Sequence, residues 1–440
     1  MDTIFALASG SQRAGVAVIR VSGPAALQTY KNMTDRLAPS PRVAVVADFR
    51  EQGTLKSLDR GMAIFFKGSE SFTGEDVVEY HLHGGVAVVR GFLSALDGQP
   101  GCRRAGPGEF TRRAFENGKI DLTAAEAVSD LIDAETEAQK MQALGQLGGG
   151  LERLYRGWAE RLKKTLAHQE ADIEFPDEDM PVQLSESLKP EVRKLVEEIK
   201  GHLDDKRRGE RLRNGVLIAI LGAPNAGKSS LLNALARRDV AIVSEEAGTT
   251  RDIIEAHLDL GGYPVILADT AGLHEAGNKI EAEGVRRARE LAGKADVKII
   301  LFDGALSAPD AGTLKMADDK SVIVLTKSDL AANHSFPFGE REAYALSAKT
   351  GEGLDSFLKA LTEKVSALFE SRAGPSLTRD RHRQALLETA AALERSLQAE
   401  LPELAAEDLR LALRSLGTIT GAVHAESLLD AIFGDFCIGK

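Results

Sequence analysis

The chain has 440 residues, 43% of them hydrophobic, and a formal net charge of -11. That length accommodates two or three domains with cores of their own, and the acidic balance excludes broad, nonspecific nucleic-acid binding, so any RNA contact must be a local basic patch. Two cysteines, Cys102 and Cys437, are too few and too far apart for a disulfide framework and fit a reducing compartment.

In chain order, the region up to about residue 118 reads as mixed α and β. Val16-Ala17-Val18-Ile19-Arg20-Val21 and Gly61-Met62-Ala63-Ile64-Phe65-Phe66 are strand-like, and Asp76 to Leu82 alternates apolar with polar. His81 and His83 share a strand face, but no carboxylate or cysteine cluster completes a metal site, so they read as structural or cofactor-lining. Leu151, Leu154, Trp158, Leu162 and Leu166 then recur at helical spacing. Asp172 to Asp179 is an acidic break around Pro176 that reads as solvated. Residues 187–207 look helical, and the mixed charges of Asp204 to Arg213 predict a linker.

Val216-Leu217-Ile218-Ala219-Ile220-Leu221 predicts a buried strand feeding Gly222-Ala223-Pro224-Asn225-Ala226-Gly227-Lys228-Ser229, the spacing of a triphosphate loop. Backbone N–H groups and a helix N-terminus there cradle phosphates, Lys228 reaches the β- and γ-phosphates, and Ser229 binds Mg2+. Leu231, Leu232, Ala234 and Leu235 suit the helix this loop requires, with Ser230 in its first turn. Gly248-Thr249-Thr250-Arg251-Asp252 and Asp269-Thr270-Ala271-Gly272 follow. Phosphoryl transfer needs these parts: Thr250 completes the Mg2+ shell, Asp269 holds the metal through water, and the Gly272 amide points at the γ-phosphate.

The base is read by Thr326-Lys327-Ser328-Asp329, which follows the strand-like Ser321-Val322-Ile323-Val324-Leu325 and so sits at a strand's carboxyl end. Asp329 can accept from N1–H and the 2-amino group of guanine, whereas adenine offers an acceptor at N1. The commoner motif has Asn at the position of Thr326, which alters one purine contact. Ser347-Ala348-Lys349 matches the short loop whose backbone meets the guanine oxygen.

Leu273 stands where many small GTPases have a water-orienting glutamine, so hydrolysis needs another group. Glu281 is a candidate, with Glu275 and Glu283 as neighbours of the same chemistry. Transition-state charge can be met by an arginine from among Arg251, Arg286, Arg287 and Arg289, although the last three read as a solvated helix face. Asn225 suggests a monovalent cation instead, its amide oxygen joined by backbone carbonyls from the loop before Gly248.

After Lys364 the pattern returns to helices, broken at Gly374-Pro375. Leu386, Leu387, Ala390, Leu393 and Leu397 form one stripe, and Leu409, Leu411, Leu413 and Leu416 continue the leucine-rich character. Helices on both sides of a complete α/β domain imply an insertion into one discontinuous helical domain. The expected boundaries are 1–118 for a mixed domain, 119–210 and 373–440 for the helical domain, and 211–372 for the inserted GTPase domain with a mostly parallel sheet. No run approaches a membrane span, and Met1-Asp2-Thr3-Ile4 has neither a basic leader nor an apolar signal core, so a cytoplasmic protein is expected.

Together with the GTPase motifs, Ser71-Phe72-Thr73-Gly74-Glu75-Asp76, His83-Gly84-Gly85, Pro107-Gly108-Glu109-Phe110-Thr111, Arg113-Ala114-Phe115 and Phe436-Cys437-Ile438-Gly439-Lys440 resemble the MnmE (TrmE) family of bacterial tRNA-modification GTPases. The resemblance implies an N-terminal folate-binding α+β domain that forms a homodimer, and work with the flavoprotein MnmG, in a heterotetramer, on tRNA. The product would be an aminomethyl or carboxymethylaminomethyl group at C5 of the wobble uridine, from a one-carbon unit of 5,10-methylene-tetrahydrofolate, with 5-formyl-tetrahydrofolate as an analogue. It places folate contacts on Arg20, Glu79, Lys119 and Lys440, GTP contacts on Ser244, Glu245, Glu246, Ala247, Gly248, Thr249 and Thr250, and K+ on Asn225, Ser244, Glu246 and Thr249. It also supports Glu281 as the acid or base of hydrolysis and encourages a nucleophilic role for Cys437, a residue that by itself reads as a small packing group. A ribosome-assembly GTPase and a folate-dependent methyltransferase with a regulatory GTPase are the rival readings. The absence of a Gly-x-x-Gly loop or basic face among the C-terminal helices weighs against the first.

Overall fold

The computed structural model describes residues 2–54, 56–174, 184–238, 240–242, 254–269, 286, 289–330, 338, 341–369 and 374–439. It resolves into two compact units: Met1–Ser129 with Glu152–Glu160 and Leu413–Lys440, and Asp130–Leu151 with Arg161–Ala412.

Period-two alternation builds the first unit. Strands β1 (Thr3–Leu7), β2 (Ala14–Ser22), β3 (Ala44–Arg50), β4 (Ser57–Phe66), β5 (Val77–Gly84) and β6 (Cys102–Arg104) form one sheet in the order β3-β4-β5-β2-β1-β6. The pairs are antiparallel except β1 with β6. Ile19, Val21, Val78, Tyr80 and Leu82 share one buried face with residues of helices α1 (Ala26–Thr34) and α2 (Val86–Asp97). Arg20 and Glu79, one step out of phase, fall on the other face and pair in register. Phe49 meets Tyr80 and Phe92 edge-on, with centroids 5.4 and 5.5 Å apart, at the centre of this core. Helices α3 (Glu109–Glu116) and α4 (Leu122–Ile132) follow, and α14 (Glu426–Gly434) joins them through Leu122, Ala125, Leu429 and Phe433.

In the second unit, β7 (Val216–Gly222), β8 (Ile254–Leu260), β9 (Tyr263–Asp269), β10 (Val297–Asp303), β11 (Ser321–Thr326) and β12 (Ala343–Ala345) pair in the order β12-β11-β10-β7-β9-β8. Only β8, with β9, is antiparallel among these pairs. Both faces of β7 are buried, which is why it reads as an unbroken apolar run. Val216, Ile218 and Ile220 pack with residues of α9 (Lys228–Ala236) and α11 (Leu354–Ser366), while Ala219 and Leu221 pack with Ile300, Phe302 and Ile323. A single helical turn, α10 (Ala311–Leu314), lies between β10 and β11.

The remaining helices are α5 (Glu137–Leu147), α6 (Gly150–Glu174), α7 (Leu184–Leu203), α8 (Arg208–Asn214), α12 (Asp380–Gln398) and α13 (Pro402–Thr420). Helix α8 occupies most of the predicted linker, because the segment is held on several sides. A Cβ at Gly209 would lie 2.1 Å from Leu377 O, so the backbones entering and leaving the nucleotide-binding sheet touch. Arg208 Nη2 donates to Ser376 Oγ at 2.8 Å. Arg383, on α12, bonds Asp205 and Glu210 at 2.6 Å each and donates to Leu203 O at 2.9 Å. On α12 the leucine stripe is narrower than its spacing predicts: Leu386 and Leu393 are buried, whereas Leu387 is 47% exposed.

Phe49→Ala should destabilise the N-terminal unit by about 3–5 kcal/mol, whereas Leu387→Ala should cost no more than about 0.5 kcal/mol, read as denaturant midpoints. His202, at the end of α7, has its pKa pushed down to about 4 by burial, with Arg383 and His382 adding to the shift and Asp205 opposing it. The unfolded imidazole therefore takes up its proton first. Stability should be full above about pH 6.5, fall by up to about 3 kcal/mol as pH drops to about 4, and level off below that. Urea melts across this range check it, with His202→Gln flattening the slope.

Candidate functional site

The phosphate loop sits at the centre of the second sheet, since β7 lies between β10 and β9. After Gly222 the chain turns through Asn225 (φ 64°) and Gly227 (φ 92°), and α9 opens at Lys228. The amides of such a turn and of the first helical turn have no intrahelical partner, which makes them an anion cradle. Lys228 is 8% exposed, and its Nζ donates to Gly222 O and Ala223 O at 2.9 Å each, so the ammonium lies across the loop. Ala226 is buried, while Asn225, Ser229 and Ser230 are exposed. Asp269 ends β9 directly beside this loop, in register with Ile220. Ser244, Glu245, Glu246, Ala247, Gly248, Thr249, Thr250, Thr270, Ala271, Gly272 and Glu281 lie outside the described residues. Of the arginine candidates, Arg286 pairs with Glu290.

The structure brings the two loops expected to read the base, Thr326–Asp329 and Ser347–Lys349, to the same sheet edge as the phosphate loop. Thr326 is 3% exposed, and its Oγ1 donates to Ala226 O at 2.7 Å, with Phe302 O at 3.2 Å. Lys327 (φ 59°) bonds Asp303 Oδ2 at 2.5 Å. Asp329 is exposed. Ser328 N donates to Leu346 O at 3.1 Å, which joins this loop to the next. There Ser347 is fully buried, and its Oγ accepts from Lys349 N at 3.3 Å and Thr350 N at 3.2 Å. The turn is thereby fixed with Ala348 at its head.

In the first unit, Arg20 bonds Glu79 Oε1 through Nε at 3.0 Å and Nη2 at 2.9 Å, and its guanidinium lies 5.7 Å from the Phe110 ring centre. His81 Nε2 is buried without a hydrogen-bond partner, 3.7 Å from Glu79 Oε2. His83 instead bonds Asp59 Oδ1 at 2.9 Å. Lys119 donates to Ser69 O at 2.9 Å and does not join the Arg20–Glu79 pair. The C-terminal segment is tied to the same unit. Ile438 bridges to Pro107, and Gly108 N donates to Cys437 O at 3.4 Å. Gly439 (φ 98°) passes so close to β1 that a Cβ would lie 2.1 Å from Leu7 O, one residue from Ala6, which pairs with Arg20. Cys437 is exposed, and Lys440 lies outside the described residues.

Sequence reading does not foresee the polar network beside this tail. Arg113 donates to Asp2 O at 2.9 Å, Asp2 Oδ1 at 2.7 Å, and Glu75 and Glu109 at 3.1 Å. Arg103 bonds Asp2 and Glu109 at 2.5 Å each. Burial would raise the Glu109 carboxyl, but bonds from Arg103 and the Gly106 amide outweigh it and hold the group below the usual range. A cavity of about 450 Å3 adjoins the network, with Arg112, Asn117 and Phe433 in its wall. Arg112 is itself neutralised by Glu116, Glu426 and Asp430. Among the described residues no group of three or more His, Cys, Asp or Glu could hold a metal, and no helix is long and apolar enough to cross a membrane.

Comparison with known proteins covers both units. The family model described as the GTP-binding protein TrmE N-terminus matches residues 3–119, and that described as the MnmE helical domain matches residues 122–437. The chain belongs to the MnmE (TrmE) family. It is 54% identical over 445 residues to the tRNA modification GTPase MnmE of Parvibaculum lavamentivorans, covering 100% of both chains. It is 53% identical over 441 residues to the protein of that name from Paramagnetospirillum magneticum, again covering 100% of both. A 5-taurinomethyluridine-[tRNA] synthase subunit, GTPB3, mitochondrial, of Danio rerio is 44% identical over 467 residues, covering 100% of this chain and 93% of its own.

As an MnmE-family member the chain is a GTP-hydrolysing enzyme of tRNA modification, and Gly439 is a sharp test of how its C-terminal segment is held. Gly439→Ala should dislodge the tail and speed its release by carboxypeptidase, whereas Gly434→Ala, where a Cβ meets nothing within 4 Å, should leave the rate unchanged.

Proposed function

We propose that this chain couples GTP hydrolysis to the addition of an aminomethyl or carboxymethylaminomethyl group at C5 of the wobble uridine of tRNA, as a homodimer working with a flavin-dependent partner. The observation that carries the reading is similarity over the whole length, at 54% identity, to a protein named as a tRNA modification GTPase. In this reading residues 1–118 hold the folate and the dimer contact, 119–210 and 373–440 form the helical domain, and 211–372 hydrolyse GTP.

Among the described residues, Asn225 and Ser229 are exposed at the phosphate loop, which supports their use as cation ligands. Ser229, exposed in the first turn of α9, would hold Mg2+ together with Thr250, and Asn225 would hold K+ with Ser244, Glu246 and Thr249. Glu281 serves as the acid or base of hydrolysis. The buried, unpaired His81 Nε2 beside the Arg20–Glu79 pair suits a ligand rich in hydrogen-bonding edges, as a pterin is. Glu79 would accept from the pterin's donor edge, and Arg20, Lys119 and Lys440 would neutralise carboxylates or position the ring. Bound 5,10-methylene-tetrahydrofolate supplies the one-carbon unit, and Cys437, exposed on a tethered tail, is the thiol available nearby as a nucleophile.

A strain lacking the gene should carry unmodified wobble uridine that this chain restores; normal wobble uridine in that strain would sink the proposal and favour ribosome assembly. GTP hydrolysis should be faster in K+ than in Na+, and equal rates would remove the cation from the account. Glu281→Ala should abolish turnover with GTP affinity nearly intact, whereas loss of binding would make the residue structural.

A further inference from the structure

The Asn-to-Thr exchange at position 326 can be resolved by counting donors. An asparagine amide carries two N–H donors, enough to bond a protein oxygen and still reach a base; a threonine hydroxyl carries one hydrogen. In this chain the two oxygens beside Thr326 Oγ1 are Ala226 O at 2.7 Å and Phe302 O at 3.2 Å. Both are carbonyls, which only accept, so the single hydrogen is directed at them. The side chain is 3% exposed and packs on the phosphate loop, its Cβ, Cγ2 and Oγ1 each 3.5 Å from where a Cβ of Gly227 would stand. Turning the hydroxyl toward a base would break the bond that ties the base-reading strand to that loop.

Guanine N7 is an acceptor and needs a donor to be read. We infer that this chain leaves guanine N7 unread: Thr326 is a positioning residue that holds the phosphate loop at Ala226, and selectivity rests on Asp329 at the N1–H and 2-amino edge and on the Ser347–Lys349 turn at O6. The inference rests on the reading of this site as a guanine site. It differs from that reading in consequence, because a site that reads only those edges accepts any purine that keeps them.

The test uses the full chain with Mg2+ and K+, and compares GDP with 7-deaza-GDP, in which N7 is replaced by C–H while O6, N1–H and the 2-amino group remain. The wild-type chain should bind the two within about twofold, since no hydrogen bond is lost. Thr326→Asn, of similar size, restores a second donor and should make 7-deaza-GDP bind about three- to tenfold weaker than GDP. Thr326→Val removes the hydroxyl and should weaken both nucleotides by the same factor, through the loosened phosphate loop. A wild-type preference for GDP of about fivefold or more overturns the inference, as does a Thr326→Val loss confined to GDP or a Thr326→Asn variant that binds both alike. Failure of the wild-type chain to bind either nucleotide overturns the guanine reading itself and is distinct from any change in the ratio.

Discussion

The nucleotide-binding sheet can sit inside a helical domain because its two ends meet at one point, where Gly209 has no Cβ to hold its backbone away from Leu377 O. Any larger residue there would force the inbound helix α8 off the outbound strand of chain. Arg383 closes the same point from the side of α12, with 14% of its side chain exposed and its donors shared among Asp205, Glu210 and Leu203 O. Removing one partner from such a half-buried charge cluster leaves the others uncompensated, which typically costs about 3–5 kcal/mol. The junction is thus held from both sides, by the Gly209–Leu377 approach and by Arg383.

At the other end of the sheet, stiffness comes from loops tied to one another. Thr326 anchors the phosphate loop, Ser328 anchors the Ser347 turn through Leu346, and Lys327 anchors to Asp303. Each bond is a modest one, but together they hold the three loops to one another, and under the proposed reading that leaves less ordering entropy to oppose nucleotide binding. The single change from the commoner motif, Thr326, keeps this tether. On the inference drawn above, the exchange alters a base contact and leaves the scaffold intact.

How much of this was legible in the sequence depended on how far apart the interacting residues stand. The phosphate loop and the β7 and β11 runs are contiguous, and their chemistry compresses into a few neighbouring residues, so both position and role could be read. Arg20 and Glu79 could be named through the family motifs, and their pairing follows from β2 and β5 lying side by side in register. The network of Asp2, Glu75, Arg103, Glu109 and Arg113 could not be foreseen, because it joins residues 111 positions apart through side chains whose local pattern looks like solvated charge. Leu387 misled for the opposite reason: helical periodicity marks a stripe but not its width, and a leucine at the edge of that stripe stays in water. The tail that carries Cys437 was recognisable as a motif, but its close approach to the end of β1 at Leu7 required the structure.

We propose that the coupling of GTP hydrolysis to tRNA modification runs through the junction of Gly209 and Leu377, where the chain enters and leaves the nucleotide-binding sheet. It is tested most directly by Arg383→Met, which keeps the bulk of the side chain and removes the charge that holds Asp205 and Glu210. Modified wobble uridine formed per GTP hydrolysed is the quantity to measure, with tRNA and the proposed flavin-dependent partner present. GTP turnover should stay within about threefold of wild type, while modification per GTP should fall tenfold or more, about 1.4 kcal/mol. An unchanged ratio would contradict it.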